Sequence, residues 1–245
     1  MTKVISASAQ IEQDVEIGEF AVIEKDVIIG PRCRIGHHAV ICEGAVLGAD
    51  VEIGIGAVVG KRPRPARTST VKVTGLAPAH LGDGCILGTY AAVYAGSVLG
   101  SDVMVADHAV VRERCRLGAN VVVGRAATVE NDTEIGARTK IQTGAYVTAY
   151  MTVEEDVFIA PMVTTTNDNY MGRTEKRFSE KKGATIRKGA RIGGNAILLP
   201  GIEIGAETLV AAGSVVTKDT AAGQVVMGVP ARAIRPVTED ELLKG

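Results

Sequence analysis

A branched aliphatic residue returns at every sixth position of this chain. The first run extends from Ile5 through Ile11, Ile17 and Ile23 to Val59, the second from Leu81 to Ile159, the third from Ile186 to Val216. The runs hold ten, fourteen and six such positions, and all thirty are Ile, Leu or Val. Four places after an aliphatic stands an uncharged and usually small residue, such as Cys33, Ala39, Ala45, Ala109, Val121 or Thr133. This period predicts short β-strands that turn a corner each hexad, with three hexads closing one triangular coil of a parallel β-helix. Thirty hexads make about ten coils, a prism roughly 45–50 Å tall at about 4.8 Å per layer. Glycine often follows the aliphatic directly, as in Ile17-Gly18, Leu47-Gly48 and Ile204-Gly205. We read these glycines as corner residues, where a positive φ is easily accepted.

A repeat covering nearly all of the 245 residues argues for one solenoid rather than two domains. The net charge of −1 gives no reason to expect nucleic acid or an anionic membrane surface as partner. The lack of Trp and the presence of only three Phe suit a narrow coil interior. The opening MTKVISASAQ has no apolar segment of a signal peptide, and no stretch of about 18 apolar residues could span a bilayer. Of the four cysteines, Cys33, Cys85 and Cys115 fall at the small inward slot, while Cys42 does not. They read as buried reduced thiols, and the cytoplasm is the expected compartment.

Two interruptions break the period. Val59 to Leu81 spans 22 positions, and Ile159 to Ile186 spans 27. The expected organisation is a β-helix domain over 1–235, with loops near 61–80 and 164–185, and a helical cap over 236–245. Long loops on a rigid scaffold tend to carry function. The first contains Lys61, Arg62, Arg64, Arg67 and Lys72 without an acidic residue, so it either holds a diphosphate or is a solvated basic loop. The second begins Thr164-Thr165-Thr166-Asn167-Asp168-Asn169-Tyr170 and is expected to project towards a neighbouring subunit. Thr238 and Glu241 have the spacing of a capping box, and a short terminal helix is expected to cover the open end of the last coil.

The run Ile192-Gly193-Gly194-Asn195-Ala196, the segment Ile204 to Asp219 and the ending Gly228-Val229-Pro230-Ala231-Arg232 resemble the hexapeptide-repeat acyltransferases. Within them the chain is most similar to enzymes that acetylate dTDP-3-amino-3,6-dideoxyhexoses. The resemblance implies left-handed coils, an exception to the usual crossover rule. It also implies a homotrimer, acetyl-CoA between neighbouring subunits, and direct attack of a sugar amine on the thioester.

Positions eighteen apart stack on one face of such a prism. Glu113 and Asn131 are so related, and Asp132 stacks over Arg114. In the resembled enzymes a Glu, and an Asn-Asp pair eighteen residues on, lie near the reacting amine. Asp132 is then the orienting group or base, with Asn131 and Glu113 as positioners. Turn chemistry alone accounts for an Asn-Asp corner equally well. His108 stacks over Tyr90, and both are candidates to line the acceptor cleft together with Arg62 and Arg64. For the cofactor, Gly194, Ala211 and Ala212 would let pantetheine approach the backbone, while Lys218 and Arg232 would meet its phosphates. The histidine spacings offer no trio for a metal, and none is expected. The expected activity is acetyl-CoA-dependent N-acetylation of a nucleotide-linked amino sugar. A different acceptor, such as a UDP-amino sugar or an alcohol, and a non-catalytic β-helix scaffold remain the alternatives.

Overall fold

The structure is a computed structural model that describes residues 3–69 and 73–243. The chain winds as a left-handed parallel β-helix whose strands are mostly two residues long. Three sheets form the walls of the prism. Sheet A contains strands such as Val4–Ile5, Val22–Ile23, Val110–Val111 and Val215–Val216; sheet B contains Gln10–Ile11, Val98–Leu99 and Glu203–Ile204; sheet C contains Glu16–Ile17, Met104–Val105 and Leu209–Val210. Apart from the bulge at Val59/Lys61 and a shift at Val225/Val226 in the C-terminal hairpin, each strand pairs in register with the next strand of its sheet, as in Val98↔Arg116 and Leu99↔Leu117. Every hexad aliphatic from Ile23 to Val216 is buried; Ile5, Ile11 and Ile17 at the first coil are not. Strand alternation turns the other residue of each pair outward.

The small slot has a second use. The Cys33, Cys85 and Cys115 thiols donate to the carbonyls of Gly48, Gly100 and Glu130 at 3.1 Å. Ser97 donates to the Arg112 carbonyl at 2.6 Å, Thr133 to Thr148 at 3.1 Å and Thr139 to Glu154 at 2.9 Å. In each case the acceptor lies fifteen residues ahead, at the corner of the next coil. A corner carbonyl needs a partner when burial removes it from water. All four thiols are free.

The glycine reading is corrected. Left-handed φ values fall three places after the aliphatic, at Asp14, Phe20, Asp26, His38, Tyr90 and His108 among others. Glycine directly after the aliphatic instead permits close stacking of coils. A Cβ on Gly54 would lie 2.6 Å from the Gly88 carbonyl carbon and 2.7 Å from the Thr89 nitrogen.

The three sheets hold eleven, ten and twelve strands. The excess over ten coils has two sources. Strand Thr164–Thr165 occupies a hexad slot in sheet A, with Thr165 buried at the inward position. Threonine has the branched shape of valine, and its hydroxyl is satisfied by the Tyr146 carbonyl at 3.1 Å and the Thr148 N–H at 2.8 Å. The second insertion therefore begins after Thr165, two residues later than expected. The other addition is an antiparallel hairpin, Gln224–Gly228 with Ala231–Pro236, continuing sheet C. The terminal helix is a single 3-10 turn, Glu239–Glu241, with the Thr238–Glu241 capping box in place. Beyond it Leu243 donates its N–H to Glu207 at 3.4 Å, so this segment lies along a side of the prism rather than across its end.

Candidate functional site

Both insertions leave from one edge. The first follows strand Val58–Lys61 and the second follows Thr164–Thr165; both strands belong to sheet A, and both loops re-enter at sheet B. Glu113, Asn131 and Asp132 lie on that same A/B edge, in the coils between the loops. The corner backbone forms a ladder there: the Asp132 N–H donates to the Glu113 carbonyl at 3.1 Å, Tyr150 to Asn131 at 3.2 Å and Gly183 to Tyr150 at 3.2 Å. The upper loop is tied down by the Asn167 amide on the Ala149 carbonyl at 3.3 Å. It carries one short helix, Arg177–Glu180.

The lower loop folds over the edge and encloses a cavity of about 410 Å³. Pro63, Arg64, Pro65 and Val73 wall one side; Tyr94, Arg112, Glu130 and Asn131 form the other. Arg62 does not line it, but reaches the Leu76 carbonyl at 3.4 Å within the loop. Lys72 lies outside the described residues.

Arg112 organises the floor. Its guanidinium donates to Glu113 at 2.9 and 3.2 Å and to Glu130 at 3.2 Å, and sits 5.1 Å over the Tyr94 ring. Lys61 approaches the same ring at 5.2 Å. Glu113 is fully buried and does not line the cavity; it acts on it through Arg112. Arg114 forms a bidentate pair with Asp132 at 2.6 and 2.7 Å, and the Asn131 amide donates to Asp132 at 2.6 Å. Burial pushes the Asp132 carboxyl up, but Arg114 and Asn131 outweigh it and the net shift is downward. Burial and the nearby charge of Glu130 push the Tyr146 phenol up. Three carboxylates thus share two guanidinium groups on this floor. Glu130 is the only carboxylate lining the cavity among the described residues, and the sequence reading passed over it. Its position eighteen residues after Arg112 was the available signal.

The other candidates are distributed over two edges. His108 and Tyr90 stack with ring centroids 5.6 Å apart at the corner entering sheet A, opposite the corner that holds Glu113. Gly194, Ala211 and Ala212 share that C/A edge several coils higher, where the Gly213 N–H donates to the Gly194 carbonyl at 2.8 Å. Lys218 lies exposed on the A/B edge, four sheet-A layers above Asn131, or about 19 Å. Arg232 is exposed on the C-terminal hairpin. Within one chain, sheet A separates the two groups.

Comparisons with known proteins agree with this architecture. Residues 8–43 and 183–218 match the bacterial transferase hexapeptide (six repeats), and residues 26–61 and 110–149 match the hexapeptide repeat of succinyl-transferase. Serine acetyltransferase of Buchnera aphidicola is 38% identical over 96 residues, covering 39% of this chain and 33% of that protein. The 2,3,4,5-tetrahydropyridine-2,6-dicarboxylate N-acetyltransferase of Clostridium perfringens is 54% identical over 48 residues, 20% of each chain. The chain thus spans a third or less of the length of these relatives. In fold, it is similar to Arabidopsis UDP-N-acetylglucosamine acyltransferase, with a TM-score of 0.66 at 15% identity, covering 98% of this chain and 74% of that one. The repeat matches together cover more than half of the sequence, and the chain belongs to the hexapeptide-repeat acyltransferase family.

Proposed function

We propose that this protein transfers an acetyl group from acetyl-CoA to the amine of a nucleotide-linked 3-amino-3,6-dideoxyhexose. The observation that carries the reading is the 410 Å³ cavity, where a loop cation, Arg64, faces Glu130 and Asn131. An acceptor with a cationic amine at one end and a diphosphate at the other matches that polarity.

Glu130 is placed to hold the sugar ammonium and take its proton, which frees the nitrogen lone pair. The lone pair attacks the thioester carbonyl carbon and the C–S bond breaks. CoA leaves as a thiolate, which takes up the second proton lost by nitrogen. Asp132, whose carboxyl Arg114 and Asn131 hold down, takes the orienting role and turns Asn131 towards the acceptor. Glu113 fixes Arg112, which in turn positions Glu130.

Gly194, Ala211, Ala212, Lys218 and Arg232 are the proposed acetyl-CoA contacts. A homotrimer packed through sheet A would place the C/A edge of one copy beside the A/B edge of the next. Tyr90, His108 and Ala212 of one subunit would then complete the cleft of Asn131 and Lys218 in its neighbour.

The test is thiol release from acetyl-CoA in the presence of a panel of dTDP- and UDP-amino sugars. Glu130→Gln and Asn131→Ala are expected to lower kcat by roughly 100-fold or more, and His108→Asn to remain active. Collapse of His108→Asn would instead favour a histidine base and an alcohol acceptor. No release with any amino sugar would refute the reading.

A further inference from the structure

A larger cavity than the acceptor cleft lies elsewhere. It encloses about 700 Å³ on the outer face of sheet C, beneath the C-terminal segment. Its floor is a vertical column of three register partners, Lys140↔Phe158↔Arg191. Leu242 and Leu243 close it from above. Neither the acceptor cavity nor the proposed acetyl-CoA contacts share a residue with it.

Arg191 is the informative side chain. Its Nε and Nη2 are buried and have no hydrogen-bond partner. Charged donors removed from water without a partner are costly, and a buried group left in this state points to a missing acceptor. The Nε/Nη2 side of a guanidinium presents two parallel donors, which match two oxygens of one anion. Lys140, two layers below at about 10 Å, has no ion pair among the described residues. Of the other charges around the cavity, Asp156 accepts two bonds from Arg138 and Glu241 is paired with Arg235, while Glu207 accepts only the Leu243 N–H and has no cationic partner among the described residues. Between the two free cations lies Phe158, with 40% of its surface exposed. A ring exposed on a cavity floor offers a stacking face. The volume lies within the range of small-molecule sites.

We infer that this cavity binds a nucleoside phosphate, its base against Phe158 and its phosphate shared by Arg191 and Lys140. Two cations flanking one aromatic ring suit a dianionic phosphate on a flat heterocycle. The site is independent of the acetyl-transfer reading, and its test uses no turnover.

The experiment is calorimetric titration of the full-length protein with AMP and, separately, with inorganic phosphate. One AMP per chain is expected, at least tenfold tighter than phosphate. Arg191→Gln and Lys140→Ala should each weaken AMP at least tenfold, and Phe158→Ala should remove its advantage over phosphate. Lys218→Ala and Arg64→Ala should leave AMP binding unchanged. Thermal melts of every variant separate lost binding from lost fold, and Lys140 is the less buried of the two cations to replace. The inference is overturned if AMP does not bind, or binds unaffected by both Arg191→Gln and Lys140→Ala. It is equally overturned if AMP binding is lost in Lys218→Ala or Arg64→Ala, which would place the nucleotide on the A/B edge.

Discussion

Thr165 shows how much a single inward residue can decide. Its hydroxyl sits in the core, accepting from the Thr148 N–H and donating to the Tyr146 carbonyl. Valine would fill the same volume but orphan a buried N–H, so Thr165→Val should cost about 1–3 kcal/mol in denaturant unfolding. The period read only through aliphatics misses this strand, because threonine shares their shape and not their polarity. The cysteines make the complementary case. Burial pushes Cys85 up to about 11 and Cys115 up to about 12, and it raises Cys33 and Cys42 as well. The reactive thiolate is therefore scarce at neutral pH. Labelling with a disulfide reagent at pH 7 should be slow in the native protein and reach all four thiols only in denaturant. At the candidate site, Glu113 and Asn131 were legible because eighteen residues separate them. Glu130 and Arg112 were not singled out, since spacing alone does not tell which of three successive corner residues turns outward.

Among elements, the C-terminal segment carries an ion pair that is also its cap. Glu241 is paired with Arg235 and accepts the Thr238 N–H and hydroxyl, which together bring its carboxyl down to about 2. A carboxyl depressed by folding stabilises the folded segment above the ordinary glutamate range. That contribution declines as pH falls below the range and is gone once pH passes about 2. Hydrogen exchange should therefore show residues 224–243 losing protection on acidification towards pH 2, ahead of the central coils. An Arg235→Gln variant should lose it at higher pH. The hairpin itself could not be read from the hexad period, because it is antiparallel and follows the last repeat. The two loops were located by counting, but their common edge was not, since that depends on Thr165.

Across the molecule, each coil touches only its neighbours, so stability accumulates layer by layer. The outer faces differ sharply. Sheet B presents Arg116, Glu134 and Glu203, and sheet C presents Glu16, Arg34, Lys140 and Arg191. Apart from Lys61 at the end of strand Val58–Lys61, the outward residues of the sheet A strands are uncharged, including Val22, Val40, Val110, Tyr146 and Ile197. A long uncharged face is the proposed trimer contact. Light scattering should give three times 25.5 kDa, and Val110→Glu should lower it. If the cleft is shared, mixing inactive Asn131→Ala chains with chains inactivated at Ala212 by a bulky residue should restore part of the activity. Wild-type clefts re-form in the mixed trimers only when the two residues come from different subunits.

The fold was contained in the sequence because a β-helix is a local repeat: each hexad specifies one inward aliphatic, one corner and one step, and the count does the rest. The triangular coil follows from that alone, whereas the family rests on the particular residues of the last coils and the Gly228–Arg232 ending. The site depends on contacts between residues far apart along the chain. Only the tertiary structure folded Pro63, Arg64, Pro65 and Val73 back over Arg112 and Glu130, put His108 and Glu113 at opposite edges of sheet A, and left the Nε and Nη2 of Arg191 buried without a hydrogen-bond partner. A period records where each side chain starts; which charges meet depends on how loops cross the coils, and no repeat encodes that.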